Sequence, residues 1–158
     1  MAEAQQWQWR GNELVDANGV LIASELGGVI SMTDALPSAA HERFLVEKTS
    51  LEQGSVTFSV QAMSGTGQLF TAEQKYLTVG TLVADCRGRV YTLKRINPFR
   101  RERRILNPRG VEVARTRHTR EGIMMTATAE DAELLPRDAV FISYCCLLVD
   151  GPHRAIRT

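Results

Sequence analysis

One short pattern occurs three times along the chain, and each occurrence predicts a tight reversal between two strands. An apolar stretch is followed by Asp or Asn, two further residues, a Gly and a second extended stretch, at 14–20, 82–90 and 105–111. Asp and Asn side chains bond the backbone two residues ahead, and Gly supplies the positive φ that a tight reversal needs. The pattern therefore predicts three β-hairpins, with Gly19, Gly88 and Gly110 at equivalent positions.

Several other segments favour strands. Residues 55–60 alternate polar and apolar side chains, residues 110–117 do so over their first part, and residues 123–128 are rich in strand formers. Trp7 and Trp9 lie two positions apart, so they share one face of a strand. Strand and turn signals recur roughly every ten residues, which is typical of an antiparallel sheet, sandwich or barrel.

The most apolar segment, residues 139–149, departs from this pattern. Pro136 suits the first turn of a helix, and the Asp138 carboxylate is favourable near the positive, N-terminal end of the helix dipole. Asp150-Gly151-Pro152 is a stop signal, in which Gly can adopt a left-handed cap. A buried strand is the alternative, but eleven residues are long for a core strand and normal for a helix. Eleven residues are also far fewer than the roughly 20 that span a bilayer. The segment predicts a helix over about 137–149, apolar on all sides and enclosed by protein.

Length and composition describe an ordinary globular protein. The chain has 158 residues, 44% of them apolar and 23% charged, so we expect one domain over 1–158. The first residues lack the basic and apolar regions of a signal peptide, so we expect a cytoplasmic protein.

The residues that usually carry enzymatic chemistry do not form a recognisable motif. Cys86, Cys145 and Cys146 fit neither a disulfide framework nor a zinc site, and the apolar neighbours of the last two predict buried thiols. The three histidines are isolated in sequence, and phosphate-binding, nucleophile-elbow and dinucleotide motifs are absent. We therefore expect no catalytic site, no metal site and no cofactor.

The charges are distributed unevenly. The formal net charge is only +1, yet residues 94–120 carry ten basic and two acidic side chains. Nine of the ten are Arg, whose planar guanidinium binds phosphate oxygens at two points. The densest part predicts a binding site for an anion, formed by Lys94, Arg95, Arg100, Arg101, Arg103 and Arg104.

Three interpretations of this basic block stay open. Phe99 follows Pro98 at a predicted turn, and an exposed aromatic beside cations suits an anionic membrane surface. Phosphates of a nucleic acid would also suit it, although the acidic remainder of the chain argues against that partner. Alternatively, the arginines pair with acidic side chains of the same fold.

The order of these elements is similar to a known family. Residues 82–95, 100–117 and 139–149, and more loosely 9–23, resemble the tubby C-terminal-like superfamily, which includes the LURP-one-related proteins and the phospholipid scramblases. The resemblance implies a mostly β, closed antiparallel barrel around a buried hydrophobic C-terminal helix. It also implies phosphoinositide binding by paired Lys and Arg, for which only residues 94–104 offer a counterpart. The Cys-rich and calcium-binding segments of scramblases have no counterpart here, so calcium-driven scrambling is not expected.

Two functions of different class follow. The first is a non-enzymatic binding module for an anionic phospholipid or another phosphorylated ligand, attached peripherally to a membrane where the ligand is a lipid. The second is a structural or protein-interaction domain whose basic block meets an acidic partner.

Overall fold

The computed structural model describes residues 6–48, 58–76, 78–97, 99–128 and 134–152. Twelve strands follow one another in these ranges, and each pairs antiparallel with the next. They are β1 (Gln6–Arg10), β2 (Glu13–Asp16), β3 (Leu21–Leu26), β4 (Val29–Met32), β5 (Arg43–Lys48), β6 (Ser59–Ser64), β7 (Leu69–Gln74), β8 (Thr81–Cys86), β9 (Arg89–Arg95), β10 (Glu102–Leu106), β11 (Glu112–His118) and β12 (Gly122–Ala127). A 3-10 turn at Pro37–Ala39 precedes β5, and the helix α1 (Pro136–Asp150) ends the described chain.

The sheet has no free edge in the described part of the chain, because β1 also pairs with β12 and closes a barrel. The predicted fold class, a closed antiparallel barrel with one C-terminal helix, is confirmed. Trp7 and Trp9 lie on one face of β1 and are both buried, as their spacing predicts. Residues 55–57 of the predicted strand 55–60 lie outside the described residues.

The three predicted hairpins are confirmed with their turn geometry. Gly19, Gly88 and Gly110 have φ of +81°, +91° and +79°. Asp85 accepts a hydrogen bond from the Gly88 backbone N–H at 2.7 Å, and Asn107 accepts one from the Val111 N–H at 2.9 Å. Sequence alone therefore predicts these reversals correctly, because each depends on side chains within a few residues of the turn.

The helix runs through the barrel and is one residue longer at each end than 137–149. From Asp138 to Asp150 every residue is buried except Leu147, which is partly buried. The Trp9 indole N–H donates to the Ser143 hydroxyl at 2.9 Å, and the Phe70 ring meets the Phe141 ring edge-on, with centroids 5.7 Å apart. No helix in the described ranges has the length and apolar character needed to cross a bilayer.

The helix ends differently from the prediction. Gly151 adopts an extended conformation, with φ −72° and ψ 171°, and not the left-handed cap. Its backbone N–H nevertheless donates to the Leu147 carbonyl at 3.0 Å. A Cβ at this position would collide with that carbonyl oxygen, so Gly is required here for close approach and not for positive φ.

Candidate anion-binding face

The hairpin of β9 and β10 separates the predicted site residues into two sets. Lys94 lies opposite Arg104, and Arg95 lies opposite Arg103. Because successive side chains of a strand point to opposite faces, one pair faces solvent and the other faces the barrel interior. Lys94 and Arg104 are exposed, whereas Arg103 is fully buried. Arg100 is exposed in the loop between the strands.

The inward set binds the C-terminal end of α1. Arg103 donates to both carboxylate oxygens of Asp150, at 2.5 and 3.0 Å, and Arg95 donates to the same carboxylate at 2.9 Å. Arg101 donates to the Gly151 carbonyl at 3.4 Å. The prediction of one six-residue binding surface therefore needs correction, because these three arginines hold the helix inside the barrel. The interpretation of internal pairing applies to them.

A matching contact holds the other end of the helix. Arg89, at the start of β9, donates to both oxygens of Asp138 at 2.7 and 2.9 Å. The Tyr91 hydroxyl donates to the same carboxylate at 2.7 Å. Burial raises the pKa of Tyr91, and this hydrogen bond raises it further, so the hydroxyl stays protonated and remains a donor.

The two contacts are matched in length. Arg89 and Arg95 are six strand residues apart, which is about 20 Å. Asp138 and Asp150 are twelve helical residues apart, which is about 18 Å. One face of β9 therefore spans the helix from its first turn to its last residue. Asp150 lies at the negative end of the helix dipole, where a carboxylate is unfavourable, and the two guanidinium groups beside it offset that cost.

On the outside of the barrel, three cations lie side by side on three adjacent strands. Lys94 lies opposite Arg104, and Arg104 lies opposite Arg115 of β11. We call these three residues the outer cationic row. Neighbouring strands are about 4.8 Å apart, and like charges directly opposite one another destabilise a sheet.

One carboxylate lies within this row. Glu112 accepts hydrogen bonds from the Nε atoms of Arg104 at 2.8 Å and Arg115 at 3.1 Å. Burial by itself raises the pKa of Glu112, but the two guanidinium groups outweigh it and lower this pKa below its ordinary value. Glu112 therefore carries a full negative charge at neutral pH, and it is shared between two arginines. Lys94 lies outside this group.

A small cavity of about 140 Å³ adjoins the row on β11 and β12. Arg117 is exposed at its side and lies opposite Glu102, and its Nη2 is 3.4 Å from the sulfur of Met124. We call this surface the outer cationic face. It has five cations and two carboxylates, which give it a local charge of +3: Lys94, Arg100, Arg104, Arg115, Arg117, Glu102 and Glu112. The cavity is lined by Ile96, Glu102, Arg115, Thr116, Arg117, Met124 and Thr126.

Apolar side chains stand in the loop at the end of the same hairpin. Phe99 is 94% exposed and Ile96 is 44% exposed. The Asn97 side chain accepts a hydrogen bond from the Phe99 backbone N–H at 2.8 Å, which fixes the turn that presents the ring. The prediction of an exposed aromatic beside cations is confirmed for Phe99. Pro98 lies outside the described residues.

The thiols are buried inside the barrel. Cys86, Cys145 and Cys146 are fully buried, as their apolar neighbours predict for the last two. Burial raises the pKa of Cys145 well above its ordinary value and the pKa of Cys146 to about 12. These groups are thiols and not thiolates at neutral pH, so they are poor nucleophiles. Within the described ranges, His, Cys, Asp and Glu side chains do not form a group of three that could hold a metal ion.

No family model, curated protein or solved structure matches this chain. The resemblance to the tubby C-terminal-like superfamily therefore stays a prediction, and the function has to be argued from the barrel itself. The barrel and its buried helix agree with what that resemblance implies for the fold.

Arg115 and Arg117 belong to this face but not to the predicted site. A signal for them was present in the sequence. They alternate with Ala114 and Thr116, so a strand that buries the small residues must expose the arginines. The contribution of Arg115 to the row depends on the pairing of β10 with β11, which only the folded sheet reveals.

Proposed function

We propose that this domain is a non-enzymatic binding module whose outer cationic face holds a phosphate-bearing ligand at an anionic membrane surface. The observation that carries the proposal is the outer cationic row, with Lys94, Arg104 and Arg115 adjacent on three strands. Glu112 offsets the repulsion between Arg104 and Arg115 only, so a bound anion would offset the remainder and stabilise the folded protein.

The chemistry of the row suits phosphate. Two of its three members are arginines, whose fork of N–H donors matches two oxygens of one phosphate. Arg104 and Arg115 already share a single carboxylate, Glu112, so their remaining donors face solvent. Lys94 adds a flexible point charge beside them.

The loop at the end of the hairpin favours a lipid surface over a soluble phosphate. A phenyl ring that is 94% exposed has no role in binding a small hydrophilic anion. Beside a membrane it would leave water for the acyl boundary, while each nearby cation adds about 1 kcal/mol of attraction to an anionic leaflet. Phe99 and Arg100 are adjacent in this loop and supply both components.

The non-enzymatic part of the proposal is supported by how the buried ionisable groups are used. Asp138 and Asp150 each accept hydrogen bonds from more than one donor, and these contacts anchor the helix. In this barrel, both carboxylates therefore act as anchors of the helix.

The test is co-sedimentation with vesicles. Wild-type protein should sediment with phosphatidylcholine vesicles that contain phosphatidylserine or a phosphoinositide, and not with phosphatidylcholine alone. Binding should weaken steeply with salt, because screening acts over about 10 Å at 0.1 M. The variant K94E/R104E should bind at least tenfold more weakly. Its melting temperature should fall only slightly, because both side chains are exposed and the main cost is the loss of the ion pair between Arg104 and Glu112.

The matched control is R87E, which replaces an exposed arginine in the turn between β8 and β9, at the far end of β9 from the site. It reverses one charge, where K94E/R104E reverses two, and it lies beyond Arg89, which is itself about 17 Å from Lys94 along β9. The proposal is wrong if R87E weakens binding as much as K94E/R104E does, or if neither variant weakens it. Loss of binding in F99S at unchanged charge would identify the membrane as the source of the phosphate. Undiminished binding of F99S, with competition by soluble inositol phosphate, would identify a soluble ligand.

The alternative is a protein-interaction domain in which the same face meets an acidic partner. In that case the protein would bind polyglutamate but not vesicles, and the variant K94E/R104E would lose the binding to polyglutamate. An RNA and a DNA competitor in the same assay tests the nucleic-acid interpretation.

A further inference from the structure

The opposite wall of the barrel carries an apolar stripe that the anion-binding face does not use. Leu26, Val29, Leu45, Met63 and Leu69 are consecutive neighbours across the five strands β3 to β7. Four of them are exposed, by 79% for Leu26, 61% for Leu45, 48% for Met63 and 45% for Leu69, and Val29 is partly exposed. We call these five residues the apolar stripe.

The stripe is a continuous surface and not a set of scattered apolar side chains. Five strands at a spacing of about 4.8 Å give it a length of about 19 Å. The exposed area of its five side chains is on the order of several hundred Å², comparable to the largest apolar patches of monomeric proteins, which commonly serve as binding surfaces. A standard interface buries about 800 Å² on each partner, so the stripe is large enough to form the core of one.

The central strand of the stripe is charged symmetrically about its centre. In β5, Arg43, Leu45 and Glu47 are all exposed and point outward, because Phe44 and Val46 point to the core. Leu45 is the middle residue of the stripe, with one positive and one negative side chain at equal distances along the strand. In the described part of the chain, neither Arg43 nor Glu47 has an ion-pair partner.

From this arrangement we propose that the apolar stripe is the contact surface of a homodimer, with a two-fold axis that runs along the stripe. This axis lies in the plane of contact and sets Leu45, at the centre of the stripe, against its own copy, with Val29 and Met63 beside it. It reverses the strand direction of the second copy, so Arg43 faces the partner's Glu47, and Glu47 faces the partner's Arg43. A second copy is thus complementary to this surface in charge, and it covers the apolar side chains at the centre of the stripe.

The charges also select this arrangement against the other in-plane axis. A two-fold axis along β5 would set Arg43 against the partner's Arg43 and Glu47 against the partner's Glu47, which is repulsive at both ends.

One positive and one negative flank give no net attraction to an anionic lipid surface. The stripe and the outer cationic face lie on opposite walls, since β5 and β10 are five strands apart in a ring of twelve. The proposal therefore does not depend on the proposed function.

The experiment is sedimentation velocity over a wide range of protein concentration. Wild-type protein should shift to twice the monomer mass as concentration rises. L45R should raise the dissociation constant at least tenfold, because it places two like charges at the centre of the contact. V90R is the matched control, since Val90 is an apolar residue of the outer wall that is 41% exposed and lies outside the stripe. It should dimerise like the wild type.

A charge exchange tests the orientation of the axis. R43E and E47R should each be monomeric, because each sets like charges against one another at both ends of the contact. An equimolar mixture of the two should form a heterodimer, in which every opposed pair is again of opposite sign, and the double variant R43E/E47R should dimerise by itself. All these positions are exposed, so the melting temperatures should change little.

Three results would overturn the proposal. The first is a wild-type protein that stays monomeric at every concentration. If L45R also lowered the binding of this monomer to vesicles, the stripe would be a lipid contact and not a dimer interface. The second is an equal effect of L45R and V90R. The third is a mixture of R43E and E47R that stays monomeric.

Discussion

At the scale of single residues, the direction of a strand side chain decides what an arginine does in this protein. Lys94 and Arg95 are adjacent in sequence, yet one is exposed and the other donates to the buried Asp150 carboxylate. Arg103 and Arg104 differ in the same way. A buried charge is tolerated only when it is paired, so the inward arginines depend on the carboxylate that they face.

We predict that R103M destabilises the protein by about 3–5 kcal/mol, because it leaves Asp150 buried with a weaker set of donors. The control R104M removes an exposed ion pair with Glu112 and should cost less than about 1 kcal/mol. Urea denaturation of both variants gives the comparison. Equal costs for the two would mean that the buried pair contributes no more than the surface pair.

At the scale of elements, the hairpin turns are local structures whose geometry depends on one glycine each. Gly88 has φ of +91° with open space around it, so only backbone strain opposes a side chain there. Gly65 also has open space, without a positive φ. The pair separates the effect of backbone conformation from that of packing.

We predict that G88V destabilises the protein by about 1–2 kcal/mol, because a β-branched residue is strained in the left-handed region. G65V should change the free energy of unfolding by less, since its backbone is acceptable to any residue. Thermal or urea unfolding measures both variants. Similar values for the two would show that the positive φ carries no particular cost in this turn.

At the scale of the whole molecule, the barrel and the helix depend on one another. Eight strands already leave an interior just wide enough for side chains to fill, so a ring of twelve needs further material inside. Helix α1 supplies that material with Phe141, Ile142 and Cys145, which are fully buried. The carboxylates of Asp138 and Asp150 attach it at both ends to β9.

We predict that a chain truncated after Pro136 does not fold, because the apolar lining of the barrel would face an empty interior. Circular dichroism and thermal unfolding measure this outcome. The milder variant I142D keeps the full chain and should cost several kcal/mol, because it buries an unpaired charge. A soluble truncated chain with a cooperative transition would contradict the interdependence of barrel and helix.

Local structure was predictable from the sequence because its causes are local. The Asp85-to-Gly88 and Asn107-to-Gly110 turns depend on side chains within four residues, and Pro136 and Pro152 bracket the helix. The exposure of Phe99 was predictable because Phe99 follows Pro98 at a turn signal, and turns lie at the protein surface. The sequence also contained a signal for Arg95. This arginine lies at a spacing of two from Leu93 and of four from Tyr91, so it shares their face of the strand, which is the core side.

By itself, the sequence determined the three glycine turns, the extent of the helix within one residue at each end, and the need to enclose that helix in a sheet. Tertiary structure alone decided which arginines are ligands of the helix and which face solvent. Asp150 is 47 residues from Arg103 along the chain, and Arg104 meets Arg115 only through the pairing of β10 with β11. A turn depends on neighbours in the chain, whereas an ion pair or a row across strands depends on register and closure, which form only when the whole sheet does.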